Sequence, residues 1–367
     1  MDYAGYAKKD IEIYLKNIRR HCKGMLGAAP RGVADHLHQI RVNARRLRNA
    51  LSIYKDLFLP RQLKQWNKSI RRAVEVSSRA RDLDVYIHFL NVYTPPLAPP
   101  FGRASPGLDE AIGRGGPFGG RLAARLASRA KREGGGKPRR IPERGVLVSF
   151  IAALKKGREK LQPRIIRALD DLNKRDTLAD ITRSLGRALA ADRPPAFAAS
   201  LAEGGLPSGG KKENNPRKIY KVARKKLLRR VRGLMVFEPF VYQPRHRRGQ
   251  PRRIQELHQM RIAAKHLRYT LEGFSPIYGP RLPLFVERVV SFQRQLGDIH
   301  DYDVWTQHLA RYARVKSRSR HEEAVLSKVK RHCLDLRQKT YRAFVRNWSR
   351  AREGKFFEDL MEYVYAH

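Results

Sequence analysis

The sequence predicts an all-α protein assembled from two copies of one helical plan. Two observations predict it. Apolar residues recur at spacings of three and four along most of the chain, as amphipathic helices require, while no segment shows sustained alternation of Val, Ile and Thr. A fourteen-residue pattern also occurs twice: HQIRVNARRLRNAL at 38–51 and HQMRIAAKHLRYTL at 258–271 share seven identical positions. A repeat of that kind marks a duplicated structural unit.

The elements follow in order. Ile11, Tyr14, Ile18, Cys22 and Met25 form the apolar stripe of a first helix. A second follows Pro30 and runs to about Leu59. Pro60 suits the first turn of a third, over about 61–80. Asp82 reads as the N-cap of a fourth, reaching about Val92. Residues 93–142 are a Pro/Gly-rich insertion (TPPLAPPFGRASPG, GRGGPFGG) with room for one short helix near 119–132. Helical pattern resumes over 146–172 and 177–190. Residues 191–216 are an Ala/Pro/Gly-rich linker. The plan then repeats, with Tyr220, Ala223, Leu227, Val231 and Leu234 as a stripe like that of the first helix. Further helices are expected over about 252–274, 281–296, from Asp301, over 318–350, and at the chain end. Residues 1–92 with 143–190 are thus assigned to a first bundle and 217–367 to a second.

The duplication reaches beyond the basic pattern. Asp82-Leu-Asp84-Val matches Asp301-Tyr-Asp303-Val, 44 residues after His38 and 43 after His258 respectively. Upstream, Lys16, Arg20 and Lys23 have counterparts in Lys225, Arg229 and Arg232. On a helix advancing about 100° per residue, His38, Arg41, Arg45 and Arg48 fall within an arc of roughly 80°. Ile40, Ala44, Leu47, Leu51 and Tyr54 take the opposite side, and Met260, Ala264, Leu267 and Leu271 form the matching core face of the second copy. No acidic residue lies between Leu37 and Leu51, although soluble helices usually mix signs. Stacked like charges repel unless an anion sits among them, and arginine matches phosphate oxygens bidentately. His38 and His258 are read evenly as phosphate donors or as structural caps.

Composition limits the partners. Lys and Arg number 78 against 34 Asp and Glu, a net charge of +44, while 41% apolar residues and 9% aromatics argue against a disordered basic tail. The expected partner is rich in phosphate. Cys22 and Cys333 are the only cysteines, form no CxxC pair, and read as reduced thiols of a cytosolic protein. No apolar run approaches the ~18 residues of a transmembrane helix, and the N-terminus lacks a signal-peptide core. The two DxD motifs raise the possibility of Mg²⁺, and His300-Asp301 that of a metal phosphohydrolase. The reading favoured instead keeps Asp82 and Asp301 as N-caps and has Asp84 and Asp303 orient arginines of the basic helix. No metal or cofactor is expected.

These motifs resemble the CHAD domain, the conserved histidine α-helical domain: HQIRVNARRLR with RDLDV in the first half, HQMRIAAKHLRYTLE with DIHDYDV in the second. The resemblance implies two pseudo-symmetric four-helix bundles around a basic central channel, binding of inorganic polyphosphate, and association with cytoplasmic polyphosphate granules. It assigns His38, Arg41, Arg45, Arg46 and Arg48 to the first motif, and His258, Arg261, Lys265 and Arg268 to the second. Lys16, Arg20, Lys23, Lys225, Arg229 and Arg232 are added from the internal repeat alone. His266 departs from the family pattern, standing where a second basic residue belongs. The ExExK motif of the CYTH domain that often accompanies such chains is not found.

Three functions compete. The leading one is non-catalytic polyphosphate binding, which needs clustered cations and no base-reading groups. The second is DNA or RNA binding, for which Asn43, Asn49 and Tyr269 are the few base-contacting side chains on the repeated helices. The third is a metal-dependent phosphohydrolase using the DxD pairs. It is disfavoured because no P-loop, HExxH or nucleophile–base pair is present.

Overall fold

The computed structural model describes residues 3–27, 30–93, 141–174, 176–190, 217–242, 254–315 and 319–366. Helix α1 spans Tyr3–Gly27, α2 Pro30–Ile53 and α3 Pro60–Tyr93, with a 3₁₀ turn at Lys55–Leu57. Next come α4 (Ile141–Glu159), α5 (Gln162–Lys174) and α6 (Thr177–Ala190). The second half holds α7 (Arg217–Met235), α8 (Ile254–Tyr278), α9 (Leu282–Val315), α10 (Arg320–Glu353) and α11 (Phe356–Ala366). No strand occurs among the described residues, so the chain is all-α as its periodicity predicts. The short helix expected near 119–132 lies outside the described residues.

Most of the apolar positions read from sequence are buried, with Tyr14, Cys22 and Tyr220 half-buried. Ile40, Ala44, Leu47, Leu51 and Tyr54 of the first basic helix are buried, as are Met260, Ala264, Leu267 and Leu271 of its repeat. Helix α8 ends at Tyr278, where Gly279 takes φ 74°, the left-handed conformation that closes many helices.

Four boundaries differ from expectation. Asp82 and Asp301 are not N-caps: α3 and α9 run unbroken through them. No proline or glycine interrupts 79–92, and Tyr86, Phe89 and Leu90 prolong the buried stripe of Ile70, Ala73, Val74 and Ser77. An aspartate inside a helix costs well under about 1 kcal/mol, less than one buried aromatic contributes. Helix α2 stops at Ile53 rather than near Leu59, and the 146–172 segment divides at Leu161, just before Pro163.

The chain forms two compact units. The first comprises Met1–Ser78, Pro163–Gly297 and Tyr341–His367; the second comprises Arg79–Gln162 and Asp298–Thr340. Each therefore contains parts of both sequence repeats. In the first unit, Tyr3 Oη donates to the Ile53 carbonyl at 3.0 Å, joining α1 to α2. Trp66 Nε1 donates to Asp180 Oδ2 at 2.8 Å, joining α3 to α6. In the second unit aromatic rings stack within an otherwise aliphatic core. Tyr86 stacks on Trp305 with ring centroids 5.1 Å apart, and Phe89 lies 4.4 Å from the same indole. Tyr86 and Trp305 hold the same position after the two DxDV motifs, so equivalent residues of the two repeats touch.

Candidate anion-binding site

All fifteen cationic residues assigned from sequence fall in the first unit, and two of its contacts bring the repeated basic helices together. Asn49 of α2 donates through Nδ2 to the Tyr269 carbonyl of α8 at 2.9 Å, and Thr270 Oγ1 donates to Asn49 Oδ1 at 3.4 Å. Asn49 and Tyr269 are again equivalent positions of the repeat. Gly273 makes the approach possible. A Cβ built there would meet Ile53 Cδ1 at 3.2 Å and Asn49 Nδ2 at 3.5 Å.

One carboxylate spans this junction. Glu272 accepts from Arg46 Nε at 3.1 Å and from Arg268 Nε at 2.6 Å. Arg268 also donates to Gln293 at 3.3 Å, so its guanidinium is held on two sides. Glu272 thus shares its single negative charge between one cation from each repeat and ties α2 to α8.

The remaining cations are less balanced. Arg48 Nε donates to Asn67 Oδ1 at 3.3 Å and Arg45 Nη2 to Ser78 Oγ at 3.4 Å, neutral partners that aim the guanidinium without cancelling its charge. His266 of α8 has Arg230 of α7, Arg48 of α2 and Lys265 as charged neighbours. The ring is exposed at the surface, yet protein atoms crowd it. Desolvation first, then these three cations, hold its pKa below the ordinary histidine value. His258 is held down likewise by burial, Arg261 and Lys265. Lys226 of α7 donates through Nζ to the Ser52 carbonyl at 2.5 Å near the C-terminus of α2; burial, then Lys55 and Arg230, push its pKa down to about 8.

The individual predictions separate by burial. Lys16, Arg20, Lys23, Lys225, Arg229 and Arg232 are all exposed. Arg45, Arg46, Arg48, Lys265, Arg261, Arg268, His38 and His258 are half-buried. Arg41 is buried, although the helical wheel places it with the exposed cations. Asn43 and Asn49 are both used internally: Asn43 is buried, donates to the Gln39 carbonyl at 2.8 Å and accepts from Asn17 at 3.3 Å. Sequence reasoning missed Arg230 and Glu272. Arg230 lies next to the repeat-matched Arg229, and Glu272 closes the quoted KHLRYTLE motif, so both were within reach of the signal used.

The second aspartate of each DxDV motif holds an arginine of its own unit. Arg158 Nε of α4 donates to Asp84 Oδ1 at 2.9 Å, and Arg337 Nε of α10 to Asp303 Oδ1 at 2.5 Å. Among the described residues, no group of three or more His, Cys, Asp or Glu side chains has the arrangement of a metal site. Cys22 and Cys333 are free thiols, and burial pushes them up to about 11 and about 12. No described helix is long and apolar enough to cross a membrane.

Comparison with known proteins places this geometry. A family model for the CHAD domain matches residues 10–310. No curated protein matches the chain significantly. Among solved structures, PptA from Streptomyces chartreusis is similar over 95% of this chain and 100% of its own, with 13% identity and a TM-score of 0.55. The CHAD domain from the plant Ricinus communis is similar over 94% of this chain and 92% of its own, with 18% identity and a TM-score of 0.51. At such identities the likeness is one of fold.

Proposed function

The chain belongs to the CHAD domain family, and from that premise we propose that it binds inorganic polyphosphate, without catalysis, on the cations that α2 and α8 present together. The observation that carries this reading is convergence. Arg45 and Arg48 from one repeat and Lys265 from the other lie on helices joined directly through Asn49, Glu272 and Gly273. A net charge of +44 adds a long-range attraction for any polyanion. Polyphosphate offers dense charge and no bases, which matches arginines and lysines accompanied by few base-reading groups.

Nucleic acid is the second reading. The structure weakens it, because Asn43 and Asn49 spend their amides on internal hydrogen bonds. A phosphohydrolase reading is weaker again, since Asp84 and Asp303 each already hold a guanidinium. The granule association follows as part of the proposal: a polyphosphate binder of this charge concentrates where polyphosphate is densest.

The test is affinity for long-chain polyphosphate across a salt series, for wild type and for the Arg45→Gln/Arg48→Gln/Lys265→Gln variant. These positions are preferred to Arg41 and Arg268, whose burial and clamping would confound binding with folding. Counter-ion release predicts that losing three phosphate contacts lowers the slope of log affinity against log salt by about 2. An unchanged affinity and slope would overturn the proposal. Polyphosphate should also displace a bound oligonucleotide far better than the reverse, and a fluorescent fusion should leave granules in cells lacking polyphosphate.

A further inference from the structure

Two histidines meet where α1 ends and α2 begins. His21 of α1 and His36 of α2 face each other through their Nδ1 atoms at 3.0 Å, and both rings are half-buried. The ring centroids lie 5.3 Å apart, which is the nitrogen separation plus the two ring radii, so the nitrogens point straight at each other. A metal held head-on between two imidazoles needs about 4 Å from nitrogen to nitrogen. A shared hydrogen needs about 3 Å. Gly24 of α1 leaves room for the His36 ring, since a Cβ there would meet Cε1 at 2.5 Å. The repeat-matched Gly233 has nothing within 4 Å. At the positions equivalent to His21 and His36 the second repeat carries Arg230 and Glu256, whose charges are fixed and opposite.

The neighbours set the tautomers. Arg20 Nη2 lies 3.4 Å from His21 Nε2, and a guanidinium only donates. That nitrogen therefore accepts, neutral His21 carries its hydrogen on Nδ1, and His36 Nδ1 is the acceptor. We propose that this contact is a proton-operated latch: one shared hydrogen holds the end of α1 on α2, and acidification releases it. A closed pair takes up one extra proton at most, because hydrogens on both Nδ1 atoms drive the rings apart, whereas two separated histidines take up two. Burial, then Arg20 and His36, hold His21 below the ordinary histidine value, so the open form binds protons first and closure weakens as pH falls. The other charged groups around the joint are engaged or turned away. On α1, Arg19 donates to Thr182 of α6 at 3.2 Å, Lys23 is exposed, and burial keeps the Cys22 thiol neutral at about 11. On α2, Asp35 is exposed, and His38 lies two residues on, about 200° around the helix. On α6, which packs against α1, Asp180 is held by Trp66 and Arg183, and Arg187 donates to Ser184. The latch does not depend on the polyphosphate reading.

Two measurements on the full chain without ligand test it. Nitrogen-15 NMR of histidine-labelled protein at pH 7.5 should show a single Nδ1 hydrogen between the two rings; none or two would overturn the proposal. Amide hydrogen exchange by mass spectrometry, corrected for the chemical rate at each pH, reads the opening itself. Peptides covering 16–27 and 33–40 should open between about tenfold and about a hundredfold more readily at pH 5.5 than at pH 7.5, for one or two net protons taken up by groups whose open-state values are near about 6.5. The His21→Gln/His36→Gln variant has no titrating group in the joint and should lose at least about tenfold of that response. The remaining histidines titrate in both proteins and cancel in the comparison. If the variant keeps the wild-type pH response, or if the wild-type peptides exchange without protection at both pH values, the latch is wrong.

Discussion

Replacing Arg337 by Met would isolate what a buried ion pair contributes to the second unit. Arg337 Nε lies 2.5 Å from Asp303 Oδ1, with side chains 11% and 2% exposed. Methionine keeps most of the apolar volume and removes the guanidinium, leaving a deeply buried carboxylate without that partner. Breaking such a pair from one side costs about 3–5 kcal/mol, mostly the desolvation of the charge left behind. Hydrogen exchange measured by mass spectrometry on α9 and α10 peptides reads this locally. At tenfold per 1.4 kcal/mol, exchange should accelerate roughly a hundred- to a few-thousand-fold. Asp303→Asn added to Arg337→Met should recover at least about half of the loss, because no buried charge remains. Acidification should also help the single variant. A carboxyl whose folded pKa has been raised costs stability at high pH, and the cost disappears as it protonates. The equivalent Arg158→Met, at a pair 14% and 20% exposed, should cost less, about 1–3 kcal/mol. If the double variant is as unstable as Arg337→Met and pH has no effect, the guanidinium acts through packing and the charge argument fails.

Further outcomes concern the first unit and the histidines of both. Glu272→Gln should lower the unfolding free energy measured by urea titration by about 1–2 kcal/mol, since the half-exposed Arg46 pair is discounted for screening, and should tighten polyphosphate binding because an internal counter-ion is gone. Gly273→Leu should destabilise by about 1–3 kcal/mol through overpacking against Ile53, and should weaken binding by spreading α2 from α8; Gly273→Ala, whose gain in helix propensity offsets its crowding, should stay within about 1 kcal/mol of wild type. The ligand-free melting temperature should fall as pH drops below about 6.5, because burial holds His21, His88, His258, His266 and His308 below their unfolded value and the unfolded chain binds the protons first. Asp10 opposes this trend: burial raises it to about 6, so proton uptake on acidification stabilises the fold, and Asp10→Asn should steepen the acid loss between pH 7.5 and 5.5 by about 1 kcal/mol.

The parts of this protein that sequence determined are those that depend on neighbours within a few turns. Periodicity places Leu47 or Leu267 on a core face whatever lies beyond it, so the helices, their buried stripes and the duplication were legible directly. The cations of the two basic helices were legible for the same reason. What lay beyond reach depends on contacts between distant residues. The Asp82 and Asp301 caps looked sound locally, yet burial of Tyr86 and Trp305 against each other, 219 positions apart, favours helices that continue through them. Arg41 is buried and Arg45 is not, a difference set by the packing around α2 rather than by the helical wheel. Arg46 finds its counter-ion in Glu272, 226 residues away, so its charge is partly spent before any ligand arrives. Contact between the two basic helices was likewise decided by tertiary structure, through Gly273 and the hydrogen bonds of Asn49. A sequence carries the sign and spacing of charges along each helix; which of them remain uncompensated is fixed only when distant helices meet.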